Sequence, residues 1–150
     1  MAKFRGSAEE RRALSAYVKL ARAAAAAEGR INAHLSDYGL TLSQFGVLEA
    51  LYHLGPLYQH ELATKILKSS GNMTLVIDNL CKRGLVERRR DEVDRRYICV
   101  HLTPEGSALI ENMFPKHVKG VVATFGVLSA EEQMQLADLC RKLGLGQNSS

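Results

Sequence analysis

The sequence predicts a mainly helical α+β fold in which one short β-hairpin interrupts a series of helices. Helix-capping signals recur along the chain, and the apolar residues between them repeat with helical spacing. Period-two alternation of apolar and polar residues occurs at residues 97–102. Because the chain has 150 residues, it is long enough for one domain whose core needs no metal or disulfide.

A long helix is predicted at the N-terminus. Ser7 and Glu10 have the spacing of a capping box, in which each side chain satisfies a backbone amide of the first turn. The apolar residues that follow keep helical spacing, and Gly39 is placed to end the helix. We therefore expect a helix over residues 7–38.

Three shorter helices should follow. Thr41 and Gln44 form a second capping box, and the helix that they open should end at residues 55–56. Further helices are predicted over residues 59–67 and 70–83. This last pair, joined by a tight turn, has the order of a helix-turn-helix.

A hairpin comes next. Residues 85–90 and 97–102 are predicted strands, joined by an acidic turn. Thr103 and Pro104 then supply the N-cap and the first-turn proline of another helix, which Pro115 should kink.

A final helix is predicted to begin at a capping box that starts with Ser129, and residues 145–150 are expected to be disordered. The chain therefore has a winged helix-turn-helix at its centre, flanked by long helices. The predicted parts are the terminal helices over 7–38 and 104–144, the central lobe over 41–102, its helix-turn-helix over 58–83 and its hairpin, the wing, over 85–102.

Positive charge is concentrated around the predicted hairpin. The net charge is +4, but from Cys81 to Arg96 seven residues are basic against four acidic. A basic patch of this kind suits phosphate groups. The alternative is a charged, solvated hairpin tip whose arginines guard a sheet edge.

The helix over 70–83 has two different faces. Met73, Ile77 and Leu80 share an apolar face that should pack inward, and the opposite face is small and polar, which suits a DNA major groove. The helix N-terminus and nearby lysines can bind phosphate. An amphipathic helix with a solvated outer face is the alternative. The residues predicted to contact DNA here are Lys65, Lys68, Ser69, Ser70, Asn72, Thr74, Leu75 and Lys82.

The acidic turn of the hairpin lies between basic strand ends. We expect Asp94 to orient Arg95 or Arg96, which leaves one guanidinium free for the minor groove, where negative potential is focused. The predicted DNA contacts of the wing are Arg90, Arg95 and Arg96.

Three stretches closely resemble the MarR (multiple antibiotic resistance regulator) family of bacterial winged helix-turn-helix proteins: ELATKIL, SSGNMTLVIDNLCKRGLV and DEVDRRYICVHLTPEG. The most specific motif is Asp-Arg-Arg, a short strand and then Leu-Thr-x-x-Gly. The resemblance implies a homodimer, built by residues 7–38 and 104–144, that binds a pseudo-palindromic operator. Residues 70–83 would enter the major groove and Arg96 the minor groove, with half-sites roughly 10 base pairs apart. A dimer also agrees with the apolar stripes of the terminal helices, which a core of this size cannot fully cover.

The resemblance further implies that a small ligand or an oxidant alters DNA affinity, with the effector pocket between the terminal helices and the central lobe. Aromatic side chains there suit an aromatic or phenolic compound. The alternative is that aromatic residues at helical spacing simply belong to the core. The ligand-binding candidates are Tyr17, His34, Tyr38, Phe45, Tyr52 and His53.

Cys81 is the candidate redox residue. Lys82 and Arg83 would favour its thiolate, whereas its place at a helix C-terminus opposes this. Cys99 and Cys140 are expected to be small core or interface residues.

The sequence predicts no enzyme, cofactor or metal site, since it lacks a compact His/Cys/carboxylate cluster, a phosphate-binding glycine loop and a nucleophile elbow. Three widely spaced cysteines and the lack of a long apolar run predict a cytoplasmic protein. The resemblance implies a bacterial or archaeal one, nucleoid-associated when bound to DNA. The expected function is a dimeric DNA-binding regulator, most simply a repressor released from its operator by a small aromatic ligand or an oxidant. The alternative is a winged-helix module that binds protein or RNA without responding to a ligand.

Overall fold

The computed structural model describes residues 4–66 and 70–146, with the backbone alone for residues 70 and 71. This part of the chain is mainly helical with a small antiparallel sheet, so the predicted fold class is confirmed. In chain order the elements are α1 (Ala8–Asn32), a 3-10 helix (Leu35–Tyr38), α2 (Leu42–Leu54), β1 (Leu57–Tyr58), α3 (Gln59–Ile66), α4 (Ser70–Lys82), β2 (Val86–Arg90), β3 (Ile98–Leu102), α5 (Pro104–Phe125) and α6 (Ala130–Leu145).

All three predicted capping boxes form. In each, the hydroxyl accepts a hydrogen bond from the amide three residues later, and the side chain of that later residue accepts one from the capping residue's own amide, at 2.9–3.1 Å. These reciprocal bonds satisfy amides that the first turn of a helix leaves unpaired. The pairs are Ser7–Glu10, Thr41–Gln44 and Ser129–Glu132.

Two predicted helix ends differ from the observed ones. α1 stops at Asn32, and Gly39 instead ends the separate 3-10 helix, where its φ of 64° is one that glycine adopts at little cost. Near the C-terminus, Leu145 is helical and Gly146 is a left-handed cap, so the expected disordered tail does not include these two residues. Residues 147–150 lie outside the described part of the chain.

The sheet has a third strand that the sequence did not reveal. Its order is β1-β3-β2, with both pairs antiparallel. The predicted hairpin is β2 and β3, in which Val86 lies opposite Leu102 and Arg90 lies opposite Ile98. β1 pairs Tyr58 with Cys99, which joins the start of the helix-turn-helix directly to the wing.

The junction between wing and α5 is held by Thr103. Its hydroxyl accepts from the amide of Gly106 at 3.0 Å, as an N-cap does, and donates to the carbonyl of Gly84 at 2.6 Å. Gly106 is buried against the backbone here, because a Cβ at this residue would lie 2.0 Å from the Leu85 carbonyl oxygen. α5 continues through Pro115 to Phe125.

The chain divides into two compact units: residues up to Ile31 together with those from Val118 form one, and Asn32–His117 form the other. The second unit contains the hydrophobic core, in which side chains of α2, α3, α4, β3 and α5 are fully buried. Among its fully buried members are Phe45, Leu48, Leu62, Met73, Ile77, Leu80, Val100, Ile110 and Met113.

The first unit differs in that none of the residues of α1 or α6, all of which are described, is buried. Their apolar side chains face solvent in the single chain. No helix within the described residues is both long and apolar enough to cross a membrane. The exposed apolar residues of this unit include Leu14, Tyr17, Leu20, Val122, Met134, Leu139 and Leu143.

Candidate nucleic-acid interface

The two faces of α4 are those expected from the sequence. Met73, Ile77 and Leu80 are fully buried and anchor the helix on the core. Asn72, Thr74 and Leu75 are exposed, and 61% of Leu75 remains accessible although it is apolar. α4 therefore presents an uncovered surface of short side chains.

Each helix of the helix-turn-helix has a basic residue in its last turn. Lys65 is exposed in the last turn of α3, and Lys82 is exposed in the last turn of α4. Lys68 and Ser69, also predicted to contact DNA, lie outside the described residues, as does the side chain of Ser70.

An arginine that the sequence did not single out ties the wing to α4. Arg88, on β2, forms an ion pair with Asp78 at 2.6 Å and donates to the Gln59 side chain at 3.2 Å and the Thr74 carbonyl at 3.2 Å. Gln59 in turn donates to the Thr74 hydroxyl at 2.9 Å. Since its charge is paired within the fold, Arg88 stabilises the arrangement of α3, α4 and β2.

The tip of the wing holds one arginine firmly. Arg96 donates to the Asp94 carboxylate from Nε at 3.0 Å and from Nη2 at 2.7 Å, and its own amide donates to Asp94 at 3.1 Å. These bonds lower the pKa of Asp94, so the turn keeps its negative charge. The Arg96 side chain is nevertheless 83% exposed. Its guanidinium is thus oriented yet still available to a partner.

The neighbouring arginines differ from Arg96. The Arg95 guanidinium makes no hydrogen bond or ion pair within the described residues, so Asp94 holds Arg96 rather than Arg95. Arg90 donates to the Arg95 carbonyl at 2.7 Å, which braces the backbone of the turn. Arg89 pairs with Glu87 on its own strand.

Where the wing tip begins, Tyr58 donates its hydroxyl to Asp91 Oδ2 at 3.2 Å. The charge of Asp91 and this hydrogen bond raise the pKa of Tyr58, because ionisation would bring two negative charges together. The Tyr58 ring lies 5.7 Å from that of His60 and 5.5 Å from that of Tyr97. These three rings line one side of the sheet next to the tip.

A second cluster of rings lies in the same unit, at the inner side of α5. His117 lies 4.5 Å from Phe45, 5.5 Å from His34 and 5.8 Å from Phe114, measured between ring centroids. Phe114 continues the cluster at 4.9 Å to His53 and 5.9 Å to Tyr52. Four of the predicted ligand-binding residues therefore meet around two side chains, Phe114 and His117, that were not predicted.

This ring cluster contains unpaired polar atoms. Among the described residues, His34 Nε2 and His117 Nδ1 are both buried and have no hydrogen-bond partner. Burial lowers the pKa of His117, which Glu49 partly opposes and His34 reinforces. Two imidazoles therefore face an aromatic environment, each with a buried ring nitrogen that has no hydrogen-bond partner among the described residues.

The remaining two ligand candidates do not join the rings. Tyr38 lies under Lys116, whose Nζ is 5.7 Å from the ring centroid. Tyr17 belongs to the other unit and is 69% exposed.

The cysteines occupy three different environments. Cys81 is half-buried against the core, and neighbouring Arg83 donates to the carbonyls of Tyr38 and Gly39 at 3.0 and 2.8 Å. Burial raises the pKa of the Cys99 thiol. Cys140 is exposed on α6 rather than buried. Within residues 4–66 and 70–146, no group of three or more His, Cys, Asp or Glu side chains is arranged to hold a metal ion.

Comparison with known proteins agrees with this geometry. A model of the MarR family matches residues 40–98, which include the helix-turn-helix and most of the wing. The HTH-type transcriptional regulator MhqR of Bacillus subtilis is 32% identical over 134 residues, covering 89% of this chain and 92% of that protein.

Two solved structures are similar along most of their length. BpsR of Bordetella bronchiseptica, whose DNA binding is regulated by 6-hydroxynicotinic acid, has a TM-score of 0.79 and 31% identity, covering 87% of this chain and 98% of its own. The MarR family regulator Sco3205 of Streptomyces coelicolor, solved in complex with DNA, has a TM-score of 0.82 and 26% identity, covering 99% and 94%. The chain therefore belongs to the MarR family of DNA-binding transcriptional regulators.

Proposed function

We propose that the protein is a homodimeric repressor that binds a pseudo-palindromic operator and leaves it when an aromatic ligand binds. The observation that carries the DNA-binding part is the pairing of an uncovered α4 face with a wing arginine held in an exposed orientation. Asn72, Thr74 and Leu75 supply the first surface, and Asp94 orients Arg96 for the second.

In this proposal α4 reads base edges in the major groove, and Arg96 enters the adjacent minor groove. The minor groove has a focused negative potential that attracts an inserted arginine. Lys65, Lys82, Arg90 and Arg95, with Lys68, Ser69 and Ser70, contact phosphates and fix the register without reading sequence. This assignment follows from exposure and charge, since Arg90, Arg95 and Arg96 are exposed.

A dimer is supported by the terminal helices. Neither α1 nor α6 buries a residue within the single chain, although both carry large apolar side chains such as Tyr17 and Leu139. A second copy of the chain would cover these side chains and would supply the second α4 that an operator with two half-sites requires.

The ligand response is supported by the ring cluster of His34, Phe45, Phe114 and His117, with Tyr52 and His53 at its edge. Rings provide stacking, and the unpaired nitrogens of two imidazoles can bind an oxygen of the ligand. A hydroxylated aromatic carboxylate of the kind that regulates BpsR fits this chemistry. Tyr17 and Tyr38 are further candidates for the pocket wall, and oxidation of Cys81 is a second proposed signal.

Selection from a library of random duplexes tests this function. We expect wild-type protein to enrich a two-fold-related sequence whose half-sites lie about 10 base pairs apart. Titration of 6-hydroxynicotinic acid into the complex with the enriched duplex then measures whether the ligand releases the protein from DNA. Enrichment without any common sequence would favour instead a winged-helix module that binds protein or RNA.

A further inference from the structure

The wing tip is connected to the body of the helix-turn-helix through one side chain of β1. Tyr58 is the last residue of β1, opposite Cys99 on β3. Its hydroxyl reaches across to Asp91 Oδ2 at 3.2 Å, over a sequence separation of 33 residues. Asp91 directly follows β2, at the point where the chain leaves the sheet.

Asp91 organises the turn that contains Asp94. The same Oδ2 atom that accepts from Tyr58 also accepts from the Asp94 amide at 3.3 Å. The Asp91 amide donates to the Tyr97 carbonyl at 3.0 Å, and the Tyr97 amide donates to the Asp94 carbonyl at 3.1 Å. Because Asp94 holds Arg96 by its carboxylate, a continuous series of hydrogen bonds runs from Tyr58 to the Arg96 guanidinium.

Ring packing fixes the Tyr58 end of this series. The Tyr58 and His60 rings are nearly parallel, at 9°, and the Tyr97 ring lies 5.5 Å from each of them. The Arg96 guanidinium carbon lies 5.9 Å from the Tyr97 ring centroid, so Arg96 is close to the group of rings as well as bound to Asp94. A cation at this distance from a ring is weakly attracted to its face.

We propose that Tyr58 is a positioning residue for DNA recognition, which acts through Asp91 and Asp94 to hold the Arg96 guanidinium at the entrance to the minor groove. The proposal rests on the minor-groove role of Arg96 given above. A hairpin tip without this support would lose more conformational freedom when it binds DNA, and this loss weakens affinity. Tyr58 itself need not touch DNA.

A double-mutant cycle separates positioning from a general structural effect. With the selected operator duplex, Tyr58→Phe should weaken binding by about 3- to 10-fold, the range expected for ordering one more side chain on binding. In an Arg96→Ala background the same substitution should change affinity by less than about 2-fold, because the arginine that it positions is missing. Asp91→Ala should behave like Tyr58→Phe and add little to it.

Tyr97→Phe is the matched control. It removes a hydroxyl from the same group of rings, and that hydroxyl makes no hydrogen bond within the described residues. We expect operator affinity within about 2-fold of wild type, since no hydrogen bond of the series is lost. Thermal unfolding should show that the four single variants and the double variants keep the wild-type fold.

Nuclear magnetic resonance supplies a direct readout in the free protein. The Arg96 Nε–H signal, protected by Asp94 in the wild type, should exchange faster with solvent in Tyr58→Phe and stay unchanged in Tyr97→Phe. Equal losses of affinity from Tyr58→Phe with and without Arg96, or no loss at all, would overturn the proposal while leaving the repressor function intact. Wild-type affinity of Arg96→Ala would instead remove the minor-groove role, and with it the positioning role of Tyr58.

Discussion

Arg95 and Arg96 are adjacent in the chain, yet their guanidinium groups are in different environments in the wing. Asp94 binds Arg96 through two guanidinium nitrogens, whereas the Arg95 guanidinium has no partner within the described residues. An oriented guanidinium suits a defined place in a groove, and an unrestrained one suits a phosphate.

Alanine substitutions should separate these two roles. Arg96→Ala is expected to lower affinity for the selected operator by about 10-fold or more, with a smaller effect on a scrambled duplex. Arg95→Ala should weaken both duplexes alike and reduce the salt dependence by about one phosphate contact. Fluorescence anisotropy at several salt concentrations measures both quantities. An equal effect of the two substitutions on both duplexes would contradict the distinction.

His117 should make stability depend on pH. Its pKa is lowered from the ordinary 6.5, chiefly by burial, so between that value and the lower one the unfolded chain binds more protons than the folded chain. The free energy of unfolding should therefore be largest above pH 6.5 and fall as the pH decreases through the lowered pKa. Urea unfolding of wild type and His117→Gln from pH 5 to 7.5 measures the difference.

The comparison needs one control, because burial also lowers the pKa of His101 on β3. His101→Gln should remove part of the pH dependence of the free energy of unfolding without affecting ligand-induced release from DNA. His117→Gln should also impair that release. An unchanged slope in the double variant would assign the pH dependence to other groups.

At the scale of secondary-structure elements, the sequence predicted the features that depend on nearby residues and missed those that depend on residues far apart in the chain. Capping boxes and the buried face of α4 depend on residues three or four apart, so the sequence displays them directly. β1 has only two residues and exists because β3 lies beside it. The ion pair between Asp78 and Arg88 likewise depends on how α4 meets β2, which no spacing along the chain reveals.

The residues of the candidate site likewise divide into those that local spacing revealed and those that only the fold brings together. Asn72, Thr74 and Leu75 were found because the outer face of a helix can be counted from its inner face. Phe114 and His117 were missed because they lie on either side of the kink expected at Pro115, and only the fold brings them together with Phe45 and His34. Tyr58, separated from its partner Asp91 by 33 residues, gave no local signal.

The contact between α5 and the wing should be sensitive to a single methyl group. Gly106→Ala places a Cβ 2.0 Å from the Leu85 carbonyl oxygen, so the start of α5 must shift. We expect a loss of about 1–3 kcal/mol in the free energy of unfolding, the usual cost of overpacking.

Gly29→Ala provides the matched control. A Cβ at this exposed residue of α1 meets nothing within 4 Å apart from its chain neighbours and the backbone of its own helix, and alanine is the better helix former by roughly 0.5–1 kcal/mol. Urea unfolding should therefore show opposite signs for the two substitutions. Equal stability of Gly106→Ala and wild type would mean that α5 does not approach Leu85 as described.

At the scale of the whole molecule, the proposed function requires a second copy of the chain that covers the terminal helices. Leu139 and Leu143 of α6 are each 65% exposed, which a stable single chain rarely leaves in so long a stripe. A homodimer removes these side chains from water and creates the two-fold symmetry that a pseudo-palindromic operator matches.

Charge on this stripe should dissociate the proposed dimer. Leu139→Glu combined with Leu143→Glu is expected to shift sedimentation from dimer to monomer, since buried carboxylates without partners are strongly disfavoured. Ala137→Glu is the control, because Ala137 is exposed and lies two residues, about 200°, around α6 from Leu139. A dimer that persists in the double variant would place the interface elsewhere.

The central claim is that this fold discriminates between DNA sequences, and equilibrium binding tests it most directly. The wild-type protein is titrated, at physiological salt, onto its selected operator and onto a scrambled duplex of the same composition. We predict that the operator binds at least about 10³-fold more tightly, the lower end of the range for specific DNA-binding proteins. Equal affinities for the two duplexes would contradict the claim.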